Sequence, residues 1–194
     1  MLKDCLPGSL FPEKRRMENL KVIDYRIKHM KGYDEKIGNL VSMLEHARSV
    51  TLKDVAGLTQ KELDFLPDEN SNSIGALLKH IAFVEYVHQI ITFENRDLNE
   101  KELSKWAAAY ELGEKARNEI NNHPLEFYLE ELSAIREKTL KLLTSKQDSW
   151  LYQEGKWSNG LAFNNYWFWY HVMEDEISHR GQIRVIKRQL ATQR

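Results

Sequence analysis

Residues 171–182 read H-V-M-E-D-E-I-S-H-R-G-Q. His171, Asp175 and His179 stand four apart, the step that stacks side chains on one face of an α-helix. The apolar residues on either side complete a pattern. Phe168, Val172, Ile183, Ile186 and Leu190 leave a gap that Asp175 and His179 fill, so the whole series advances in steps of 4, 3, 4, 4, 3 and 4. That is the core-facing stripe of a long helix, starting near Asn164 or Asn165 and ending near Leu190. Two of its positions are polar. A lone ionised carboxylate in a core costs on the order of several kcal/mol, and it persists only when paired, hydrogen-bonded or bound to a metal. His171 lies about 80° around the axis from His179, nearer the edge of the stripe.

Working back along the chain, three more segments show the helical period. One spans about 34–56, with Ile37, Leu40, Val41, Leu44, Leu52 and Val55 apolar. Another spans about 73–95, with Ser73 as N-cap and Leu77, Ile81, Val84 and Ile91 apolar. A third begins after Asn122-His123-Pro124, with Pro at the first helical position, and runs to about Lys146 through Leu125, Tyr128, Leu132, Ile135 and Leu142. A shorter helix fills 99–119. Residues 148–163, DSWLYQEGKWSNGLAF, read as a loop, and strand signals are weak throughout. Four long amphipathic segments describe an all-α four-helix bundle over residues 33–194. Residues 1–32 form an N-terminal extension. Its first 16 residues have two prolines, a glycine and no period, and read as a poorly ordered tail. Met17 is a candidate start, because the preceding Glu-Lys-Arg-Arg can be spelled almost wholly in purines, as a ribosome-binding site is.

The 194 residues suit one domain. Hydrophobic content of 42% and charged content of 29% mark a globular chain. A net charge of −1 with interleaved signs lacks the basic stripe of a nucleic-acid binder. One cysteine, Cys5, fits a reducing compartment. No run reaches the roughly 18 apolar residues of a membrane span, and no apolar stretch of a signal peptide opens the chain. Cytoplasm is the expected location.

The segment at 73–95 offers partners for Asp175 and His179. His80 falls on the stripe Leu77, His80, Val84, Val87, Ile91, and His88 on the stripe Ile74, Leu77, Ile81, Val84, His88. Either one facing the last helix would bring two imidazoles and a carboxylate together, a set that suits a divalent transition metal. Three protein ligands leave coordination positions open, as catalytic sites do. The plainer reading is that each histidine is a satisfied core residue and that Asp175 pairs with Arg180, Lys187 or another base.

Four stretches resemble the DinB-like superfamily of metal-binding four-helix bundles, over about residues 33–190. They are LEHARSVTLKDVAGLTQKELDF at 44–65, NSIGALLKHIAFVE at 72–85, the W-x-N-G type loop at 157–160 and HVMEDEISHRGQI at 171–183. The resemblance implies that the H-R-G-Q histidine, His179, is a metal ligand with Asp175 four before it and His80 on the second helix. The middle ligand is most often histidine in the superfamily. A branch that resembles mycothiol-dependent maleylpyruvate isomerase uses glutamate there. Asp175 is one methylene shorter, which draws a metal towards the last helix or places water between. His171 matches a position that is not usually a ligand, a rim or supporting residue, and His88 stands in if His80 is not the ligand.

Related families use mycothiol or bacillithiol for isomerisation or S-transfer. The resemblance therefore implies a bacterial thiol-dependent S-transferase or isomerase. Its cofactor would be zinc or nickel, with manganese or iron as further options, and its partners a low-molecular-weight thiol and a small-molecule substrate. Metal coordination deprotonates a thiol whose free pKa is about 8.5, and could equally activate water for hydrolysis. A homodimer is the expected assembly. Glu85 and Arg180 are candidate catalytic groups, with Glu174 and Glu176 as lesser ones; the solvated-surface reading competes for all four. Arg180, if turned inward, could receive a cofactor carboxylate. Trp157 and Trp169 are candidate pocket walls, and core packing accounts for most of the other aromatics. Two alternatives stay open: a metal-binding stress-associated protein or hydrolase without thiol chemistry, and a non-catalytic interaction protein.

Overall fold

A computed structural model describes residues 23–192, so the expectations for the tail at 1–16 and for Met17 fall outside it. The four periodic segments are helices: α1 (Glu35–Val55), α3 (Ile74–Glu94), α6 (Leu125–Leu143) and α8 (Asn165–Thr192). The fold is the all-α helical bundle that the periodicity predicts. Ser73 caps α3 as expected, its Oγ accepting from the Ala76 N–H at 3.1 Å. Pro124 stands one residue earlier than predicted, at the N-cap with ψ 161°, and the helix starts at Leu125.

The connections carry more structure than the sequence suggests. The predicted helix over 99–119 is two, α4 (Glu100–Glu111) and α5 (Gly113–Glu119), with Leu112 between them at φ 54°. The stretch read as a loop holds a short helix α7 (Asp148–Leu151) and an antiparallel hairpin of β1 (Glu154–Lys156) and β2 (Ala162–Asn164). Three-residue strands are too short to show alternation, which is why they are invisible as sequence pattern. A one-turn helix α2 (Gln60–Leu63) begins with a capping box between Thr59 and Glu62.

Side-chain bonds fix the helix directions. Arg48 donates to the Leu132 carbonyl and Arg136 to the Leu44 carbonyl, so α1 and α6 are antiparallel. Lys79 meets Glu131 and Gln89 meets Thr139, so α3 and α6 are parallel. Phe93 packs on Trp169 while His80 faces Asp175, so α3 and α8 are antiparallel. Two parallel neighbours cannot be joined by a tight turn, and α4 and α5 supply the long crossover between α3 and α6. Leu40, Leu44, Leu77, Ile81, Leu132, Phe168 and Val172 lie in the core between the helices, as their periodicity predicts.

At mid-height each long helix contributes one buried charge: Arg48, Glu85, Arg136 and Glu176. Arg48 donates to Glu176 and to Glu85, both at 2.9 Å, and Arg136 holds both oxygens of Glu85 at 2.7 and 3.0 Å. The set is neutral as a whole, two guanidinium groups against two carboxylates. Burial would raise the Glu85 carboxyl, but the charges of Arg136 and Arg48 outweigh it and hold it below the usual carboxylate range. The solvated reading of Glu85 and Glu176 is thereby corrected: both are 0% exposed.

Candidate metal centre

α3 and α8 bring His80, Asp175 and His179 together on the outer side of their interface. One ligand atom from each lies within 4.8 Å of the other two. Asp175 Oδ1 stands 3.5 Å from His80 Nε2 and 3.3 Å from His179 Nε2. The two imidazoles meet edge to face at 4.6 Å between centroids. Their side chains are 12–14% exposed, so they sit at the edge of the buried stripe rather than in its middle. The deepest position on that turn of α8 belongs to Glu176. The series read from the sequence therefore runs one residue off the true core line at 175–176.

The packing of α4 sets the orientation of His80. Ala108 and Ala109 are buried against α3, and their small side chains let the two backbones approach. The Ala109 carbonyl would ordinarily accept from the N–H of residue 113. At the break, Gly113 N–H instead donates to the Asn72 side chain at 2.9 Å. The Ala109 carbonyl is left for His80 Nδ1, 2.7 Å away. A carbonyl only accepts, so Nδ1 carries the proton and the Nε2 lone pair of the neutral ring points at the triad. A backbone carbonyl on the far nitrogen is the usual support of a metal-ligating histidine. The break at Leu112-Gly113 is the functional feature that sequence reading missed; the Gly in E-L-G-E is its signal.

The electrostatics follow from the packing. Burial works against the charged forms here. For Asp175 it is outweighed by hydrogen bonding to His179 and His80, which holds the carboxyl well below its ordinary range. For His80 it is outweighed by Asp175 and by the Ala109 carbonyl, which raise the imidazole. Asp175 Oδ2 and His179 Nδ1 are buried without a hydrogen-bond partner among the described residues. Four ligands about 2.0–2.1 Å from a tetrahedral zinc stand about 3.3–3.4 Å apart, so the two measured separations match a coordination sphere. The residues fit a divalent cation on spacing, donor type and unsatisfied valence.

The other candidates lie elsewhere. His88 is buried, gives Nδ1 to the Val84 carbonyl at 2.6 Å and packs on Phe168; burial pushes its imidazole down to about 4. His171 stacks on Trp167 and meets Glu174 at 3.3 Å, a rim position. Arg180 donates to the Ala47 carbonyl on α1, away from the triad, and Lys187 reaches the Asp54 carbonyl. Neither pairs with Asp175, whose ion pairs among the described residues are with the two histidines. Glu85 is enclosed by the two arginines. Trp169 is fully buried against Phe93, whereas Trp157 is exposed over Phe163 and Phe168. A cleft of about 330 Å³ lies on the opposite side of the bundle, between α1 and α6, with Arg48 and Arg136 at its floor.

Residues 39–192 match the family model described as mycothiol-S-transferase. None of the curated proteins matches the chain. Among solved structures, a conserved protein from Enterococcus faecalis is similar, with a TM-score of 0.60 and 14% identity over 79% of this chain and 95% of that one. At that identity the likeness speaks for the fold alone. No helix among the described residues is long and apolar enough to cross a membrane.

Proposed function

The chain belongs to the mycothiol-S-transferase family, and from that premise we propose that it is a metal-dependent thiol S-transferase in which His80, Asp175 and His179 hold one divalent cation. The observation that carries this reading is the convergence of the three ligand atoms within 4.8 Å, with a buried oxygen of Asp175 left over. Zinc or nickel suits two imidazoles and a carboxylate, with manganese or iron as further options. A cation bound there supplies Lewis acidity, which takes a low-molecular-weight thiol to its thiolate at neutral pH.

The protein's own groups do the rest. The Ala109 carbonyl fixes the His80 tautomer. Asp175, held ionised, offsets the charge of the cation. The thiolate sulfur bonds to an electrophilic carbon of the second substrate as that carbon's bond to its leaving group breaks, the leaving group departs with the bonding pair, and the thiol proton leaves to solvent.

We further infer a cytoplasmic homodimer without affinity for nucleic acid. Net charge −1 supports the absence of nucleic-acid affinity, and the lone Cys5 supports the cytoplasmic location. Trp167, Tyr170, Ile177 and Val185, all exposed at spacings of three, seven and eight along α8, support a partner helix there.

Absorption spectroscopy of nickel-loaded protein tests the thiol reading. Titration with mycothiol, bacillithiol or N-acetylcysteine is expected to raise a sulfur-to-nickel charge-transfer band, absent in Asp175→Ala. A nickel-loaded protein that binds none of the three thiols at its metal would overturn it.

A further inference from the structure

A strap of chain lies along α1 before that helix begins. At Gly38 a Cβ would stand 2.6 Å from His29 Nδ1 and 2.9 Å from the Met30 nitrogen, so glycine lets the strap approach the helix backbone. The Lys28 N–H donates to Ser42 Oγ at 3.3 Å, and the Asp24 carbonyl stands 3.1 Å from His46 Nδ1. Gly38, Ser42 and His46 follow one another four apart on one face of α1, so the strap runs antiparallel to the helix. It starts at the foot of the α1–α6 cleft, where the Tyr33 hydroxyl donates to the Leu140 carbonyl at 3.3 Å. The described residues begin at Ile23, next to the Asp24 carbonyl at His46.

The cleft continues past that point. Ser49 lies one turn beyond His46, and Leu52 follows it on the same wall. Arg48 and Arg136 bridge the floor to the carbonyls of Leu132 and Leu44. Above them Leu52, Leu129 and Leu140 are left half-buried, and Glu45 and Glu137 stand at the rim. The floor has little to offer an anion. Arg136 gives its N–H groups to Glu85, Glu45 and the Leu44 carbonyl, and Arg48 gives to Glu85, Glu176 and the Leu132 carbonyl. Exposed leucines between acidic rim residues suit an occupant that is apolar and basic.

The chain carries such a segment next to the cleft. Residues 17–22, which lead into Ile23, read M-E-N-L-K-V. Leu20 and Val22 alternate with Lys21, the period that turns two apolar side chains to one face of an extended chain. Leu52 lies about 9 Å beyond His46 along α1, and three extended residues span about 10 Å. We infer that residues 17–22 dock in the α1–α6 cleft of their own chain, with Leu20 and Val22 on Leu52 and Leu129 and Lys21 turned to the rim of Glu45 and Glu137. The inference does not depend on the metal, and a chain that starts at Met17 keeps the whole segment.

The test uses full-length protein with Cys5→Ser and Lys21→Cys, carrying a nitroxide at position 21. The labelled, isotope-enriched protein is diluted into unlabelled protein, so that broadening within one chain is read. The backbone amides of Ser49, Leu52, Leu129 and Ser133 are expected to lose most of their NMR intensity and to regain it when the nitroxide is reduced. Adding Leu20→Asp and Val22→Asp should abolish the loss. Ser133→Trp, which fills the cleft from an exposed position of α6, should abolish it at Ser49 and Leu52 without altering the segment. Broadening confined to other surfaces, or broadening that survives both sets of substitutions, would overturn the inference. So would broadening seen only when nitroxide and isotope are on different chains, which would seat the segment on a second copy.

Discussion

His80 Nδ1 takes the Ala109 carbonyl, the oxygen that α4 would use for its own next bond if the helix continued past Leu112. A helix break, not a side chain, therefore orients the imidazole. Asn72 keeps the break open by accepting the Gly113 N–H. Asn72→Ala frees that N–H to turn back to Ala109 and compete with His80. Supporting groups of this kind are worth about 10–100-fold in metal affinity. We expect a loss of about tenfold by competition with a chromophoric chelator, with unchanged far-ultraviolet circular dichroism. Unaltered affinity would show that the carbonyl does not set the ligand.

The four-helix ion cluster makes a different prediction. Removing one member strands a buried charge, which costs about 3–5 kcal/mol. Glu176→Ala and Arg48→Ala should each lower the thermal midpoint by roughly 10 °C, given about 2–4 °C per kcal/mol in a chain of this size. Glu85→Gln should lose stability while retaining bound metal, because its carboxylate is enclosed by Arg48 and Arg136 and not turned to the triad. Scanning calorimetry with metal analysis of the same samples checks both.

His88 sets a pH dependence with a definite sign. Its folded-state pKa, about 4, lies below the ordinary value of 6.5. Between those values the unfolded chain binds the proton and the folded one does not, so stability falls as pH drops from about 6.5 to about 4. The slope from this one group approaches about 1.4 kcal/mol per pH unit. Denaturant titrations of wild type and His88→Phe across that window should differ by this slope, the variant being flatter. Parallel curves would mean that His88 is solvated in the folded state.

The last helix was legible because its period is long and strict: Phe168, Val172, Ile183 and Ile186 are buried as the stripe requires. Ser73 announced α3 through its capping chemistry. What escaped was non-local. His80 and His88 both fall within the apolar arc of α3, and only the approach of Ala109 from the crossover separates their roles. Glu85 and Glu176 read as surface residues because the arginines that neutralise them lie elsewhere in the chain, Arg48 being 128 residues before Glu176. A one-residue displacement of the core line at Asp175-Glu176 then follows from burying the paired carboxylate Glu176 and leaving Asp175 at the rim.

The central claim is that the triad holds a cation. Metal content by plasma mass spectrometry on tag-free protein, beside His80→Ala and Asp175→Ala, measures it directly. The account predicts about one zinc or nickel per chain in the wild type and loss of most of it in both variants, with helical content retained. Wild-type protein that stays metal-free after incubation with zinc, nickel and manganese, or variants that keep the metal, would contradict it.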